Sequence, residues 1–463
     1  MAQGEIQRRV HRGVMRALVI AGVAVALAGC SKRKDPPRAS HRTGDAAAVQ
    51  PAGSAKTLRG KPKSTTELAT TSADIFLGNL DGQISELTRL TGQYPDQASN
   101  VLALSAAHHT RGRFRGDVDE IQLGIEGMNT CLRLTPDNAT CLLMRAEQEQ
   151  SLHRFGQARA DGERAKELGA DPFRIRVLEM DLDWNAGRYD VAIPTIRKAR
   201  LARPSTSTWI REAQLDHDLG LEDEADAAFE AAEDLIVDTG PLVIAHLDVQ
   251  RGIQKASTGR LDEACVFFRA AVERIPTYVA ANEHLAEVLR MLGKNDEATR
   301  IYEAVVKLTG DPEFMHALGE LYATSGKAKE ARELEAGARI GYTKLLGKYP
   351  EAMYWHASEF YMATGDKKQA LELLQKNLVL RPNSTSLVAL ARAELANGRM
   401  KDARGSIDEA LAMPLVSAAL FWTASRVYRA TGDAAAADAF RARAEKMNPR
   451  IAADEPADVP ADR

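Results

Sequence analysis

The sequence predicts an all-α fold, an α-α superhelical solenoid of about ten helical hairpins, on three observations. A six-residue pattern from Gly to Ala recurs as GRYDVA at 187, GLEDEA at 220, GRLDEA at 259, GKNDEA at 293, GKAKEA at 326, GDKKQA at 365, GRMKDA at 398 and GDAAAA at 432. The glycines stand 33, 39, 34, 33, 39, 33 and 34 residues apart, and a recurring step of that length marks a stacked repeat. Composition agrees: 44% hydrophobic residues with 5% aromatics suit Ala- and Leu-rich helix packing and argue against a sheet-rich enzyme core.

At the N-terminus, Arg8, Arg9, Arg12 and Arg16 precede an apolar run of 13 residues, Ala17 to Gly29. That run is too short to span a bilayer and suits a signal peptide over residues 1–29. It ends in Leu27-Ala28-Gly29-Cys30, which resembles the lipobox of bacterial lipoproteins. The resemblance implies cleavage before Cys30, lipidation of that residue, and anchoring to a membrane without a transmembrane helix. Ser31 follows in place of Asp, which by the same resemblance favours the outer membrane, with the protein facing the periplasm.

Residues 30–65 contain the lipidated Cys and a stretch rich in Pro, Ser, Gly, Ala and Lys without periodicity, expected to be a disordered tether. From Ser31 to Thr65 nine Lys or Arg face two Asp, whereas residues 66–463 carry 48 basic against 61 acidic side chains. A basic tether beneath an acidic body suits an anionic surface as well as a plain soluble linker. Nucleic-acid binding wants a basic body and is excluded on that count. Residues 66–97 are expected to form an N-terminal capping helix region, with the helix from Ser72 to Tyr94. The repeat array spans 98–449, and residues 450–463, with Pro456 and Pro460, are expected to be a disordered acidic tail.

Within the array, Gly accepts the left-handed conformation that ends a helix, and the polar residues after it suit the start of the next. Each copy is therefore the hinge of a hairpin. Before Gly293, Leu285, Val288, Leu289 and Leu292 fall at helical spacing, and after it Ala298, Ile301, Tyr302, Val305 and Leu308 do the same. One hairpin cannot bury both stripes, so neighbours must stack, and the recurrent Ala lets two helix backbones approach closely.

This pattern resembles the tetratricopeptide repeat. Leu318, Gly319, Tyr322, Ala331 and Ala338 fit one unit, Tyr361, Ala370, Leu374 and Pro382 another, and Trp209, Ala225, Phe229 and Ala232 a third, with Trp209 read as core. Exit prolines follow at Pro136, Pro204, Pro276, Pro382 and Pro449. Two departures stand out: the unit from Arg111 to Thr135 reads as long in its turn, and Ile340 to Pro350 extends a second helix.

The resemblance implies that first helices line the concave side and that extended peptides or partner helices bind there. The side of those helices facing away from the packing stripe carries Trp184, His217, Glu283, Glu287, Arg290, His316, Glu320, Trp355, Glu359, Arg392, Trp422, Arg426 and Arg429. Acids dominate its middle and arginines its end, so the expected partner segment is basic in its middle and acidic at one end. The tryptophans are candidate anchors, and a one-residue change of register turns them into core. Lys and Asn pairs of the kind that clamp a chain's terminal carboxylate are not evident.

Cys131 and Cys141 lie symmetrically about Pro136, each about a turn from the bend, which allows a disulfide in an oxidising compartment or two small buried packing sites. Cys265 follows Ala264 and reads as core. His108 and His109 point to different sides of a helix, and no His pair has the spacing of a zinc protease. No phosphate loop, nucleophile elbow or Cys-x-x-Cys pair appears, so no catalysis, cofactor or metal is expected. The expectation is a lipid-anchored periplasmic scaffold that joins other envelope proteins, in assembly of outer-membrane proteins, pili, secretion or export machinery. An adaptor for cell-wall or exopolysaccharide enzymes that also recognises glycan is the alternative, and the oligomeric state is left open.

Overall fold

The structure, a computed structural model, describes residues 68, 70–237 and 240–454; the lipobox, the tether and residues 455–463 lie outside this range. The described residues form 22 α-helices and no strand. Helix α1 (Ala73–Gln93) precedes ten hairpins. The first five are α2 (Ala98–Arg115) with α3 (Val118–Leu134), α4 (Ala139–Ser151) with α5 (Phe155–Glu167), α6 (Pro172–Asn185) with α7 (Tyr189–Ala202), α8 (Thr206–Asp218) with α9 (Glu222–Asp234), and α10 (Pro241–Ser257) with α11 (Leu261–Arg274). The next five are α12 (Val279–Met291) with α13 (Asn295–Thr309), α14 (Pro312–Thr324) with α15 (Ala328–Lys348), α16 (Pro350–Ala363) with α17 (Lys367–Leu380), α18 (Ser384–Ala396) with α19 (Met400–Leu411), and α20 (Ala418–Ala430) with α21 (Ala434–Met447). A one-turn helix, α22 (Ile451–Asp454), ends the described chain.

The hinges obey the local chemistry that predicts them. Gly187 and Gly259 take φ of 68° and 76°, left-handed values that an L side chain adopts at a cost. The Ala five residues on is buried in all eight copies, wholly so in seven, where the second helix of each hairpin crosses the first. Helix starts are capped where the sequence supplies Ser, Asp or Asn: Ser72 accepts from the Ile75 amide, Asp171 from Phe173 and Arg174, and Asn383 from Ser386. The second hinge departs from the rule. His153 occupies a left-handed conformation (φ 58°) that favours glycine, its ring stacked on Phe155 and its Nδ1 3.3 Å from the carbonyl of Glu351.

That last contact belongs to a seam that the repeat pattern does not announce. The hinge of each of hairpins two to five meets the exit of the hairpin five places later, so the superhelix touches itself once per turn. His153 meets Glu351, and the Tyr189 hydroxyl accepts the Ser384 amide at 3.2 Å. The Val416 amide donates to the Asp218 carbonyl at 2.8 Å. A Cβ on Gly187 would stand 2.3 Å from the Pro382 carbonyl oxygen, and one on Gly259 2.4 Å from Asn448 Oδ1. From the first hairpin, Asp119 accepts from Lys348 Nζ at 2.6 Å and from the Tyr349 hydroxyl, over an apolar patch of Ile121, Ile125, Leu152, Tyr349 and Met353. Helix α1 is tied in at the same level, with Leu80 and Ile84 in the largest core cluster.

Three expectations need correction. The unit from Arg111 to Thr135 has a hinge of only Gly116 and Asp117; its extra length lies in helices of 18 and 17 residues. The tail does not begin at 450: Arg450 Nη2 donates to the Met291 carbonyl at 3.0 Å, and Ile451 is fully buried beside Ala444 and Met447, because burying Ile outweighs fraying. Trp209 is half-buried beneath the Arg200 guanidinium, 4.3 Å from its ring, rather than wholly in the core. The extended second helix expected near Ile340 is present as α15, at 21 residues.

Candidate functional site

The first helices point inward and surround a lumen with two chambers. The first, of about 170 Å³, is walled by α2, α4, α6, α8 and α10, with Ile196 and Ala199 of α7 and Tyr278 completing it. The second, of about 240 Å³, lies between the two superhelical turns, walled by α6, α8 and α10 on one side and α16, α18 and α20 on the other. Asp181, Ile196 and Arg211 belong to both walls, and Asp181 is ion-paired to Arg211, so this pair forms the partition.

The first chamber carries three guanidiniums, Arg113, Arg174 and Arg211, against two carboxylates, Glu147 and Asp181. Arg174 bonds Glu147 at 2.7 Å. Burial lifts the Asp181 carboxyl to about 6, against the pull of Arg211. The two histidines here are held neutral: burial, aided by Arg113, pushes His109 and His246 down to about 3. Apolar walls come from Phe114, Phe173, Val177, Leu178 and Leu242.

The second chamber holds Arg211, Arg381 and Arg392 with Asp181 and Asp218. Burial raises Asp218 to about 6 and Tyr189 to about 12. Burial opposes protonation of His217, yet Glu222 at 2.7 Å outweighs it and lifts the imidazole above its ordinary value. Trp184 meets Tyr189 edge-on at 5.0 Å on this wall.

Of the residues predicted for a groove, the structure gathers Trp184, His217, Trp355 and Arg392 around the second chamber. Glu283, Glu287, Arg290, His316, Glu320 and Glu359 form a separate group on α12, α14 and α16, walling neither chamber, where Arg290 bonds Glu320 at 3.0 Å. Trp422 and Arg426 lie on α20, apart from both, and Arg429 is ion-paired to Asp438. Two side chains expected to face the groove, Glu287 and His316, are buried away from both chambers, and Trp355, at 5% exposure, lines the second chamber with little of its surface. His316 packs edge-on against Phe360 and Trp355 joins Leu371 and Leu390, because the curvature presses successive first helices together.

Arg113, Arg174, Asp181, Arg211 and Arg381 escaped the sequence reading. A signal existed: Arg174, Val177, Asp181 and Trp184 share one helical stripe, as do Arg211, Gln214 and Asp218. Cys131 and Cys141 are joined in a disulfide with Cα atoms 6.4 Å apart, while Cys265 is a buried thiol. Among the described residues no group of three or more His, Cys, Asp or Glu gathers that could hold a metal ion.

Ten stacked hairpins at this period, with first helices inward and a buried Ala at the crossing in all eight copies of the hinge pattern, decide the architecture. The fold is a tetratricopeptide-repeat solenoid. No family model matches the chain, and no curated protein matches it. Solved structures do. The APC/C hetero-tetramer Cut9–Hcn1 is 12% identical over 82% of this chain and 93% of that one, with a TM-score of 0.33. Yeast Tom70 is 14% identical over 82% and 92%, at 0.35. A tetratricopeptide repeat protein from Parabacteroides merdae is 16% identical over 52% and 93%, at 0.33.

Proposed function

We propose that this tetratricopeptide solenoid is a non-catalytic scaffold of a bacterial cell envelope, lipid-anchored through Cys30 to the outer membrane and facing the periplasm, which holds segments of other envelope proteins in its lumen. The observation that carries the reading is the lumen itself, where Trp184, His217 and Arg392 from separate hairpins reach one space. Aromatic and guanidinium groups brought together in a partly dry recess are what concentrates binding energy at protein interfaces. The anchor rests on the Arg-rich start, the short apolar run and Leu27-Ala28-Gly29-Cys30; no described helix is long and apolar enough to cross a membrane. With Trp355 only 5% exposed, Trp184 stands as the more open tryptophan of the chamber, which favours peptide segments over the clustered exposed tryptophans that glycan recognition would use. Assembly of outer-membrane proteins, pili, secretion or export machinery is the proposed setting.

Two experiments test this. Labelling with radioactive palmitate is expected to mark the wild type and not Cys30→Ser, which should leave the membrane fraction; an unlabelled wild type would sink the anchor. Crosslinking in cells should lose one envelope partner in Trp184→Ala plus Arg392→Glu. An unchanged partner set would move the binding surface out of the lumen.

A further inference from the structure

Arg381 sits at the exit of the eighth hairpin, where Pro382 is pressed against the hinge at Gly187. Its side chain is on the wall of the second chamber and only 4% of the residue is exposed. Nε is wholly buried without a partner, and no ion pair or hydrogen bond of the guanidinium occurs among the described residues. Arg211, on the same wall, is matched by Asp181.

A buried cation without a counter-charge is costly. Lysine escapes that cost by releasing its proton. Arginine does not: burial draws Arg381 down to about 10, still fully charged at neutral pH, with Tyr189 as the one opposing influence. Nη1 and Nη2 are not among the wholly buried atoms, and an anion in the chamber would supply the missing counter-charge there. The planar fork of a guanidinium matches a carboxylate, and Asn383, Ser384 and Thr385 bring further polar groups to the same wall. The ligand's body would meet Trp184, Leu215 and Val388. Asp218 faces the same space and disfavours a second negative charge.

We infer that the second chamber binds a compact organic monocarboxylate, its carboxylate paired with Arg381 and its apolar body against Trp184 and Val388. The site does not depend on the scaffold reading. A free acid and the acidic side chain of a bound segment both carry this chemistry, and the test separates them.

The full chain is titrated calorimetrically with benzoate, with neutral benzamide, and with the blocked dipeptide acetyl-Glu-Phe-amide. Benzoate or the dipeptide is expected to bind at least about tenfold more tightly than benzamide. Arg381→Met is expected to weaken that binding at least about tenfold while the thermal midpoint of the empty protein stays level or rises, since Met fills similar space without a charge. Arg381→Lys replaces the fork with a single ammonium that can shed its proton in the empty chamber and take it up beside a bound carboxylate, so its affinity should lie between those of wild type and Arg381→Met. Tighter dipeptide than benzoate identifies a segment side chain, and the reverse a free acid. No heat from benzoate or dipeptide at about 20 mM, or equal binding by wild type and every folded Arg381 variant, would overturn the assignment.

Discussion

The hinge glycines of hairpins three to five and those of hairpins six to ten are alike in sequence and in local backbone, and differ in what lies beyond them. Gly187, Gly220 and Gly259 each leave a Cβ no room, with Pro382, Val416 and Asn448 within 2.3–2.8 Å, whereas around Gly293, Gly326, Gly365, Gly398 and Gly432 nothing stands within 4 Å. Both sets have positive φ. One residue type thus does two things: everywhere it closes a helix, and in the first superhelical turn it also lets the second turn seat on it. The histidines divide by neighbouring charge and not by turn, since in the first turn Glu222 outweighs burial and raises His217. Beside Arg113, His109 and His246 are held near 3, while His356 in the second turn, 2.9 Å from Glu313, rises to about 9 because that carboxylate outweighs burial.

The most severe way to break the contrast is Gly187→Ala. Its new methyl would meet a backbone oxygen that cannot step aside, so the left-handed penalty and the clash together should cost about 3 kcal/mol or more. Gly293→Ala bears the conformational penalty alone, about 1 kcal/mol. Urea midpoints of the two variants at unchanged slope check the difference, and equal losses would deny the seam. Next in size, replacing Cys131 and Cys141 with Ala removes a staple found in the first turn only. For a ring this short the chain-entropy account gives about 3 kcal/mol or somewhat less, and the same loss should follow reductant in the wild type.

Tyr349→Phe removes a hydroxyl from Asp119 at the seam while keeping the buried ring, so about 1 kcal/mol is expected. His153→Gly should fall within about 1 kcal/mol of wild type, since relief of a left-handed side chain offsets the lost contact to Glu351. Proton titration followed by NMR sharpens the comparison at the smallest energetic scale. His109 and His246 should keep neutral signals down to pH 4, and His356 should remain protonated at pH 8. The signs follow from linkage. The depressed imidazoles contribute stability above about pH 6.5 that is lost as pH falls toward 3. His356 contributes below about 6.5 and loses it as pH rises through 9, in an amount limited by water reaching its partly open ring. Asp181 and Asp218, raised to about 6, act oppositely to the depressed imidazoles, so individual ring signals are the cleaner readout than a global melt.

The hairpins, their hinges and the crossing alanines were legible because helix periodicity and turn chemistry are written within about 34 residues. Closure of the coil was not. It depends on small rotations summed over five units, and nothing near Gly187 names Pro382. Of the residues on the inner stripe, Trp184, Trp355 and Arg392 line the second chamber, Trp355 with little exposed surface, whereas Glu287 and His316 are buried away from both chambers. Whether a residue on the inner face meets water or a neighbour depends on how tightly the superhelix curls. Arg381 was invisible for a related reason, since an arginine beside an exit proline reads as a solvated turn until the other coil covers it.

An open repeat array behaves as a one-dimensional chain, each unit coupled only to its neighbours. The contacts at His153, Tyr189, Asp218 and Gly259 turn that chain into a wound sheet, in which a hairpin answers both to the next along the sequence and to the one above it. Loss of the last two hairpins would therefore uncover the hinges of the fourth and fifth, deep in the interior of the sequence. Melting should spread across coils as well as along them, making the molecule more cooperative than its repeats suggest and less tolerant of having units added or removed.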